Sequence, residues 1–338
     1  MKSQSLPHAG EKPRAASLLP WTASFLAACE ATEHQSILDP VSWMSAEAAW
    51  LWWFMFGVGG VVFVLVFGLF LYAILMPPAD SQSLPPLGKN RFILMGGIIV
   101  PTIILVVLLF VALGSTVKFR IPDNTAFTIE VVGHRWWWEI RYPDFGITDA
   151  NELYIPVGEP VLLRLWSADI IHSFWVPALH GKIDMMPEKV NTFWIEADEP
   201  GVYRGQCAEY CGLQHANMAF RVIALATDEF EAWVHHRQQP VPEPETADLQ
   251  RGREVFFNEG CDVCHAIDGV GGTEEIGPDM THVASRMTLG AGILPNNRGY
   301  LAGWIVNPQA LKPGNLMPRS YIEPQDLEAL LDYLETLR

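Results

Sequence analysis

Hydrophobic and polar positions are gathered into blocks along this chain. Residues 47–76 ("EAAWLWWFMFGVGGVVFVLVFGLFLYAILM") carry one charge, Glu47, at their start, and residues 92–115 ("FILMGGIIVPTIILVVLLFVALGS") carry none. Both exceed the ~20 apolar residues that cross a hydrocarbon core and the usual length of a buried core helix. The pattern therefore predicts a two-helix transmembrane hairpin over 47–116, with Pro101 kinking the second helix. Residues 120–226 switch to short β-branched and aromatic runs, "AFTIEVVG", "PVLLRLW", "VNTFWIE" and "MAFRVIALA", separated by Pro, Gly and Asp clusters. That rhythm predicts a small all-β sandwich or barrel. Residues 227–248 read as one helix ("DEFEAWVHHRQ") and then a Pro- and acid-rich linker ("QPVPEPETAD"), extended and solvated. Residues 249–338 return to helical spacing in "LQRGREVFFNEG", "GYLAGWIVN" and "PQDLEALLDYLETLR", whose leucine stripe reads as a core face. The chain thus reads as a multidomain membrane protein.

The first 29 residues form a separate block. Lys2, Lys12 and Arg14 precede "ASLLPWTASFLAAC", too short to span a bilayer and patterned like a secretory signal peptide. Its end, "LAAC", resembles the lipobox of bacterial lipoproteins, which implies lipidation of Cys29; the alternative is a cysteine lying in the apolar part of the signal. With residue 29 exported, two crossings of the bacterial plasma membrane leave everything after Ser115 on the extracytoplasmic side. The connecting loop, with Asp80, Lys89 and Arg91, has a basic excess of one that agrees weakly with that topology, and Lys118 and Arg120 on the other side dilute the signal. At 338 residues there is room for about two soluble domains, and the formal charge of -16 gives no reason to expect a nucleic-acid partner.

Two stretches carry chemistry. "QCAEYCGLQHANM", residues 206–218, crowds two thiols, an imidazole and a thioether together. Zinc would accept the thiols and imidazole, but the soft thioether of Met218 points to copper or iron. "CDVCH", residues 261–265, reads as covalent c-type haem attachment through Cys261 and Cys264, with His265 placed to ligate iron. A thioredoxin-like pair would sit in a βαβ pattern and half of a zinc site would need a second CxxC; neither accompanies this motif. With "GPDMTHVASR" and "NPQALKPGNLMPRS", residues 249–338 resemble an all-α class I cytochrome c, which implies Met317 as the second axial ligand and puts Met280 where such domains usually have leucine. Of the three methionines after His265, Met280, Met287 and Met317, the last has travelled furthest along the chain and is flanked by Pro313 and Pro318.

Taken with His172 in "SADIIHSFWVP", the CxExCxxxHxxM segment resembles the binuclear copper site, CuA, of subunit II of haem-copper cytochrome c oxidases. The resemblance implies a cupredoxin-like domain, side-chain copper ligands at His172, Cys207, Cys211, His215 and Met218, and a carbonyl ligand at Glu209. Two shared thiolates spread one electron over both metals, so little geometry changes on reduction. In "GHRWWWEI", Trp136 corresponds to the family's electron-entry indole, expected to be exposed near the copper where cytochrome c docks, whereas Trp137 reads as packing. "HGKIDMMP", with Asp184, resembles the segment that faces subunit I, and the Glu209 carboxylate corresponds to a ligand of a magnesium ion at that interface. One departure is that residues 92–115 lack the acid that the family often carries near a proton entrance. With Cys29, the copper pair and the haem pair assigned, no cysteine of the five is left for a disulfide.

The resemblance implies subunit II of a caa-type oxidase with a fused cytochrome c, working beside subunits I and III. Electrons would enter from an external donor, such as a cytochrome c or a quinol-cytochrome c reductase, and pass through haem c and CuA to haem a of subunit I, where oxygen is reduced to water. Two other readings share the motifs: a CuA-containing subunit of a nitric oxide reductase, and a copper-delivery or redox-sensing membrane protein, which would need labile ligands.

Overall fold

A computed structural model describes residues 35–76, 86–273 and 276–338. The signal segment with Cys29, and Asp80 of the connecting loop, lie outside the described residues. Helix α1 (Trp43–Leu75) begins four residues before the expected 47 because Ser42 caps it: its hydroxyl accepts from the Ser45 N–H and the Ser45 hydroxyl accepts from the Ser42 N–H, both at 3.2 Å. The same two serines fasten the helix to the β domain, Ser45 Oγ donating to the Ala178 carbonyl at 2.6 Å and Ser42 Oγ to that of Leu179. Helix α2 (Pro86–Leu94) runs through a π turn (Met95–Ile99) into α3 (Val100–Lys118). This turn is where the expected effect of Pro101 appears. Proline has no N–H, and in a regular helix its ring would strike the carbonyl of Gly97; widening the preceding turn removes the clash. Glu47 joins the two helices, accepting from Ser115 Oγ and Lys118 Nζ at 2.8 Å each. Large apolar side chains along both helices, from Phe56 to Leu75 and from Phe92 to Leu113, are exposed, as a lipid-facing surface requires.

Ten strands follow: β1 (Thr128–His134), β2 (Trp137–Tyr142), β3 (Ile147–Ala150), β4 (Glu152–Pro156), β5 (Val161–Ser167), β6 (His172–Trp175), β7 (Lys182–Met185), β8 (Asn191–Ile195), β9 (Gly201–Cys207) and β10 (Ala219–Leu225). They form two five-stranded sheets, ordered β3-β2-β1-β5-β8 and β4-β10-β9-β6-β7. One core fills the space between them, with Val131, Leu163 and Leu165 from the first sheet meeting Phe174, Phe220 and Val222 from the second. At the end where the chemistry lies, Trp138, Phe174 and Phe220 pack ring on ring with centroids 4.6–6.0 Å apart.

Helix α4 (Thr227–Arg237) lays Phe230 and Trp233 against Phe127, Tyr142 and Tyr154 of the sandwich. Residues 239–246 have no regular structure and are mostly exposed. Beyond them, α5 (Ala247–Asn258), α6 (Arg298–Val306), α7 (Pro308–Leu311) and α8 (Pro324–Leu334) make a helical domain with two short ladders, β11 (Ala266–Ile267) with β12 (Gly271–Gly272) and β13 (Thr288–Leu289) with β14 (Leu294–Pro295). Helices α5 and α8 cross at Gly252, where any side chain would collide: a Cβ there would lie 2.1 Å from the Ala329 carbonyl oxygen.

Although the linker is solvated, the helical domain is not loosely tethered. Asp149, fully buried, accepts from Arg286 at 2.8 Å across the interface and lies 3.4 Å from Arg237 at the end of α4. The Glu152 carboxylate accepts the backbone N–H groups of Met287 and Thr288 at 2.6 and 3.2 Å. Trp137 packs with Ala150 and, from the helical domain, Ala291. The turn Gly290–Ala291–Gly292 is left-handed throughout, with φ of 62°, 62° and 84°, and brings the Ala291 carbonyl to the Ala219 N–H of β10 at 3.1 Å. Removing one member of such a buried charge network typically costs ~3–5 kcal/mol.

Burial, together with the charge of Asp149, pushes the Glu152 carboxyl up to about 7. The raised value means that the docked state holds a proton which the separated domains would release above about 4.5, so Glu152 favours docking fully below about 4.5 and loses that contribution as pH rises through about 7. Limited proteolysis of the 239–246 linker should accordingly be slower at pH 5 than at pH 8. Glu152→Gln, which keeps the acceptor oxygen without the charge, should flatten the difference; a wild-type cleavage rate equal at the two pH values would contradict this account.

Candidate metal centres

Strands β9 and β10 pair antiparallel, and the Cys207 N–H donating to the Met218 carbonyl at 2.9 Å closes the loop between them at its base. Strand β6 lies on the other side of β9 and opposes Phe174 to Cys207, which brings His172 beside the loop. Around this base the six residues singled out in the sequence converge. Cys207 Sγ and Cys211 Sγ are 3.7 Å apart; His172 Nδ1 is 3.8 Å from the first sulfur and His215 Nδ1 is 3.6 Å from the second. Met218 Sδ lies 3.8 Å from Cys211 Sγ, and the Glu209 carbonyl oxygen 3.2 Å from Cys207 Sγ. A separation of 3.7 Å is far beyond the ~2.05 Å of a disulfide. At a metal–thiolate length of ~2.3 Å it subtends about 107° at a shared metal, close to tetrahedral. The donors present fit a pair of soft metal ions.

Two features prepare the site. His172 Nε2 lies 2.8 Å from Asp169 Oδ1, so its proton is held there and the Nδ1 lone pair is free to face the sulfurs. Burial pushes the Asp169 carboxyl up, but hydrogen bonds from His172, the Ile170 N–H and the Arg135 N–H outweigh it and hold the group at about 2. Gly133 supplies the room for the ring, because a Cβ there would stand 2.9 Å from His172 Cδ2. The thiols behave as a pair: Cys207 ionises readily because the Cys211 thiol and His172 support its thiolate, and that thiolate in turn holds the second proton on Cys211. Cations between them are what would let both sulfurs be thiolates.

In the helical domain the 3₁₀ turn Cys261–Val263 sets Cys261, Cys264 and His265 at one wall of a cavity, with the His265 N–H closing the turn onto the Cys261 carbonyl at 2.9 Å. His265 Nδ1 donates to the Pro278 carbonyl at 2.7 Å, which leaves the Nε2 lone pair available to a metal. Gly277 is required beside it, since a Cβ would come within 2.5 Å of His265 Cε1. The cavity is lined further by Met280, Leu301, Trp304, Ile305 and Met317, an apolar cradle that fits a porphyrin joined to two cysteines. Met287 points elsewhere and is exposed. The loop bearing Met317 is braced from both sides: Asn315 accepts its N–H at 2.8 Å and Gln309 donates to its carbonyl at 2.8 Å.

Trp136 departs from expectation. It is only 8% exposed, because the helical domain covers it. Its indole Nε1 donates to the Cys211 carbonyl at 2.8 Å while its ring lines the same cavity as His265 and Met317. One side chain therefore touches both sites, and the surface imagined for an external cytochrome is occupied by the chain's own second domain. Lys312, 3% exposed, lies beside it and donates to the Trp136 and Gly290 carbonyls, each at 2.8 Å. Burial pushes its ammonium down to about 7.

Residues 147–225 match the family model "Cytochrome C oxidase subunit II, periplasmic domain", and residues 249–338 match "Cytochrome c". Cytochrome c oxidase subunit 2 of Alkalihalophilus pseudofirmus is 39% identical over 329 residues, covering 93% of this chain and 94% of the relative. The chain belongs to the cytochrome c oxidase subunit II family. The corresponding protein of Bacillus sp. (strain PS3) is 33% identical over 259 residues, 71% of this chain and 72% of the relative. The solved periplasmic domain of subunit II from Bradyrhizobium japonicum is 30% identical, covering 35% of this chain and 97% of that one, with a TM-score of 0.34.

As a subunit II with a cytochrome c domain, the protein is a membrane-bound component of an oxidoreductase complex that carries copper and haem and works with subunit I. The magnesium role implied for Glu209 has less behind it. Its carboxylate and that of Asp184 are exposed, and among the described residues the one cluster of three metal-binding side chains is His172, Cys207 and Cys211. Sequence reasoning missed Gly133, Asp169, Gly277 and Lys312. Gly133 and Lys312 act on partners distant in sequence and Gly277 through the space it leaves, while Asp169 acts on His172 only three residues on, a pairing that spacing alone does not single out.

Two sets of substitutions test the assignments. Cys207→Ser or Cys211→Ser replaces a soft bridging thiolate by a hard hydroxyl and should abolish the mixed-valence electron paramagnetic resonance signal of the copper pair while the protein remains folded; a mutant that keeps the signal would refute the ligand set. Met317→Ala should eliminate the sulfur-to-iron charge-transfer band and lower the haem potential with the covalent haem retained, whereas Met280→Ala should keep the band; the reverse result would transfer the ligand role to Met280.

Proposed function

We propose that this chain is the electron-entry subunit of a bacterial caa-type cytochrome c oxidase, passing electrons from an external donor through haem c and CuA to haem a of subunit I, where oxygen is reduced to water. When bound, the haem and the copper pair supply one-electron chemistry; the chain's own residues hold them and set what lies between. His172, Cys207, the Glu209 carbonyl, Cys211, His215 and Met218 hold the copper, and Cys261, Cys264, His265 and Met317 hold the haem. The observation that carries the reading is Trp136, hydrogen-bonded to the copper loop and lining the haem cavity at once. Permanent docking of that kind suits an electron conduit. It does not suit a copper-delivery protein, whose ligands must open.

The covered indole supports a donor contact on the haem domain. With Trp136 beneath the haem domain, electrons from outside reach the haem first. Residues 228–338 hold eighteen Asp and Glu against eight Lys and Arg, a net charge of -10 that attracts a basic donor. The two apolar helices support a membrane anchor, and residues after 115 lying on the extracytoplasmic side would let the haem domain meet a donor in that compartment; Cys29 lipidation would add a further anchor. Subunit III belongs to the same proposed assembly.

Rapid mixing of the purified oxidase with a reduced basic cytochrome c tests this order. The haem of this chain should be reduced before the copper pair, and its rate should fall steeply as ionic strength rises from 0.01 to 0.15 M, where the screening length shrinks from ~30 to ~8 Å. Copper reduced ahead of haem c, or a rate indifferent to salt, would overturn the order or the electrostatic docking respectively.

A further inference from the structure

A buried ammonium is an unusual thing to place between two redox centres, and Lys312 has no carboxylate to pair with among the described residues. It belongs to the haem domain, at the end of α7 and five residues before Met317. Its Nζ donates to two backbone carbonyls, one in each domain: Gly290 on its own side and Trp136 on the other. Its backbone is tied just as closely to the methionine loop, since the Lys312 carbonyl accepts from Asn315 Nδ2 at 2.6 Å while Asn315 Oδ1 accepts the Met317 N–H. Next to it, the Pro313 carbonyl accepts from Gln214 Nε2 of the copper loop at 2.7 Å. An unbroken series of contacts thus runs from Met317 through Asn315 and Lys312 to Trp136, and through the indole to Cys211.

We propose that Lys312 is a positioning residue for electron transfer between the haem and the copper pair: its two carbonyl bonds hold Trp136 in register with both centres, and its buried charge stabilises the added electron nearby. One electron leaves the ferrous haem and arrives at the oxidised copper pair; no bond is made or broken, and Lys312 keeps its proton. The physical requirement is one of register. The Trp136 indole is fastened to the copper loop at Nε1, so the haem domain must be held against the same residue, and Lys312 does so through the backbone carbonyl without touching the ring. Among the described residues the ammonium faces two carbonyls and no carboxylate, and a positive charge lining the cavity would favour the reduced state of a haem bound there.

This inference rests on the electron-entry reading, and the measurement separates the two. Intact oxidase carrying Lys312→Met, a chain of similar length without charge or donor, is compared with wild type at pH 6, below the value of about 7 to which burial pushes the ammonium. The haem is reduced by a ruthenium–polypyridyl photoreductant excited by a light pulse, with a sacrificial amine donor, and the transfer to copper is followed optically; the haem potential is measured by redox titration and amide exchange is followed at residues 135–137 and 289–291. Transfer slowed at least tenfold through loss of register, even though the lowered haem potential by itself would speed it, is expected together with that lowered potential and faster exchange, with the copper resonance signal and the haem charge-transfer band intact. Internal transfer within twofold of wild type, or an unchanged potential, would overturn the role of Lys312. Wild-type enzyme that passes no electron from haem to copper would overturn both readings. Should Lys312→Met fail to assemble, Lys312→Arg decides, since it keeps the charge on a head too wide for the two-carbonyl seat: transfer slowed at least fivefold at an unshifted potential supports the proposal, and wild-type transfer refutes it.

Discussion

The hydrogen bond from the Cys207 N–H to the Met218 carbonyl is the constraint on which the rest of the molecule depends. It makes ten intervening residues a closed loop on a rigid hairpin, so that two sulfurs, an imidazole, a thioether and a carbonyl oxygen can be spaced without flexible linkage. The sixth donor, His172, comes from β6, held by its own place in the same sheet. A pair of thiols 3.7 Å apart would be a liability if either could move, because oxidation to a disulfide would consume both. Strand pairing on one side and the Trp138, Phe174 and Phe220 rings beneath keep that distance fixed. Rigidity also serves transfer, since a site that hardly moves on reduction has little reorganisation to undergo.

The same loop is the foundation for the second domain. Trp136 is fastened to it through the Cys211 carbonyl, Gln214 reaches Pro313, and β10, which continues from the loop, takes the left-handed Ala291 turn at its first residue. The helical domain therefore docks on the copper loop itself and on the strand that continues from it. Everything further from the site, including Asp149 between its two arginines, holds that pose against sliding. An apolar patch of equal area would attract as well but would tolerate shifts of register. Directional bonds between buried groups do not, because each displaced partner would be left unsatisfied in a low dielectric.

Much of this architecture was legible in the sequence because its signals are local. Residues 47–76 and 92–115 announce membrane helices by run length, the runs "AFTIEVVG", "PVLLRLW", "VNTFWIE" and "MAFRVIALA" became β1, β5, β8 and β10, and the donors at 207–218 and 261–265 announce metal chemistry by spacing. What escaped is non-local. The capping serines at 42 and 45 precede the apolar run and gain their meaning from Ala178 and Leu179, more than 130 residues away. Gly133 and Gly277 act through the volume they leave for His172 and His265. The exposure expected for Trp136 presupposes a copper domain standing alone, and a solvated linker gives no hint that the domain beyond it folds back to cover the indole. Composition can identify a linker; it cannot say whether the modules it joins touch.

That covering has a consequence for how the two soluble domains divide their work. A copper domain standing alone must present its entry point to a diffusing partner, so the surface over that point has to be both accessible and only weakly adhesive. Here Trp136, the entry point that the resemblance implies, is buried and bonded at both ends, by Cys211 at the indole and by Lys312 at the carbonyl, which suits a contact that is made once and kept. On the proposed electron path, the demands of transient docking, charge steering and quick release, pass to the region of residues 228–338, where eighteen acidic residues outnumber eight basic ones. Separating a permanent internal contact from a transient external one lets each be built with the interactions that suit it: desolvated, directional hydrogen bonds within, and screened, long-range charge without.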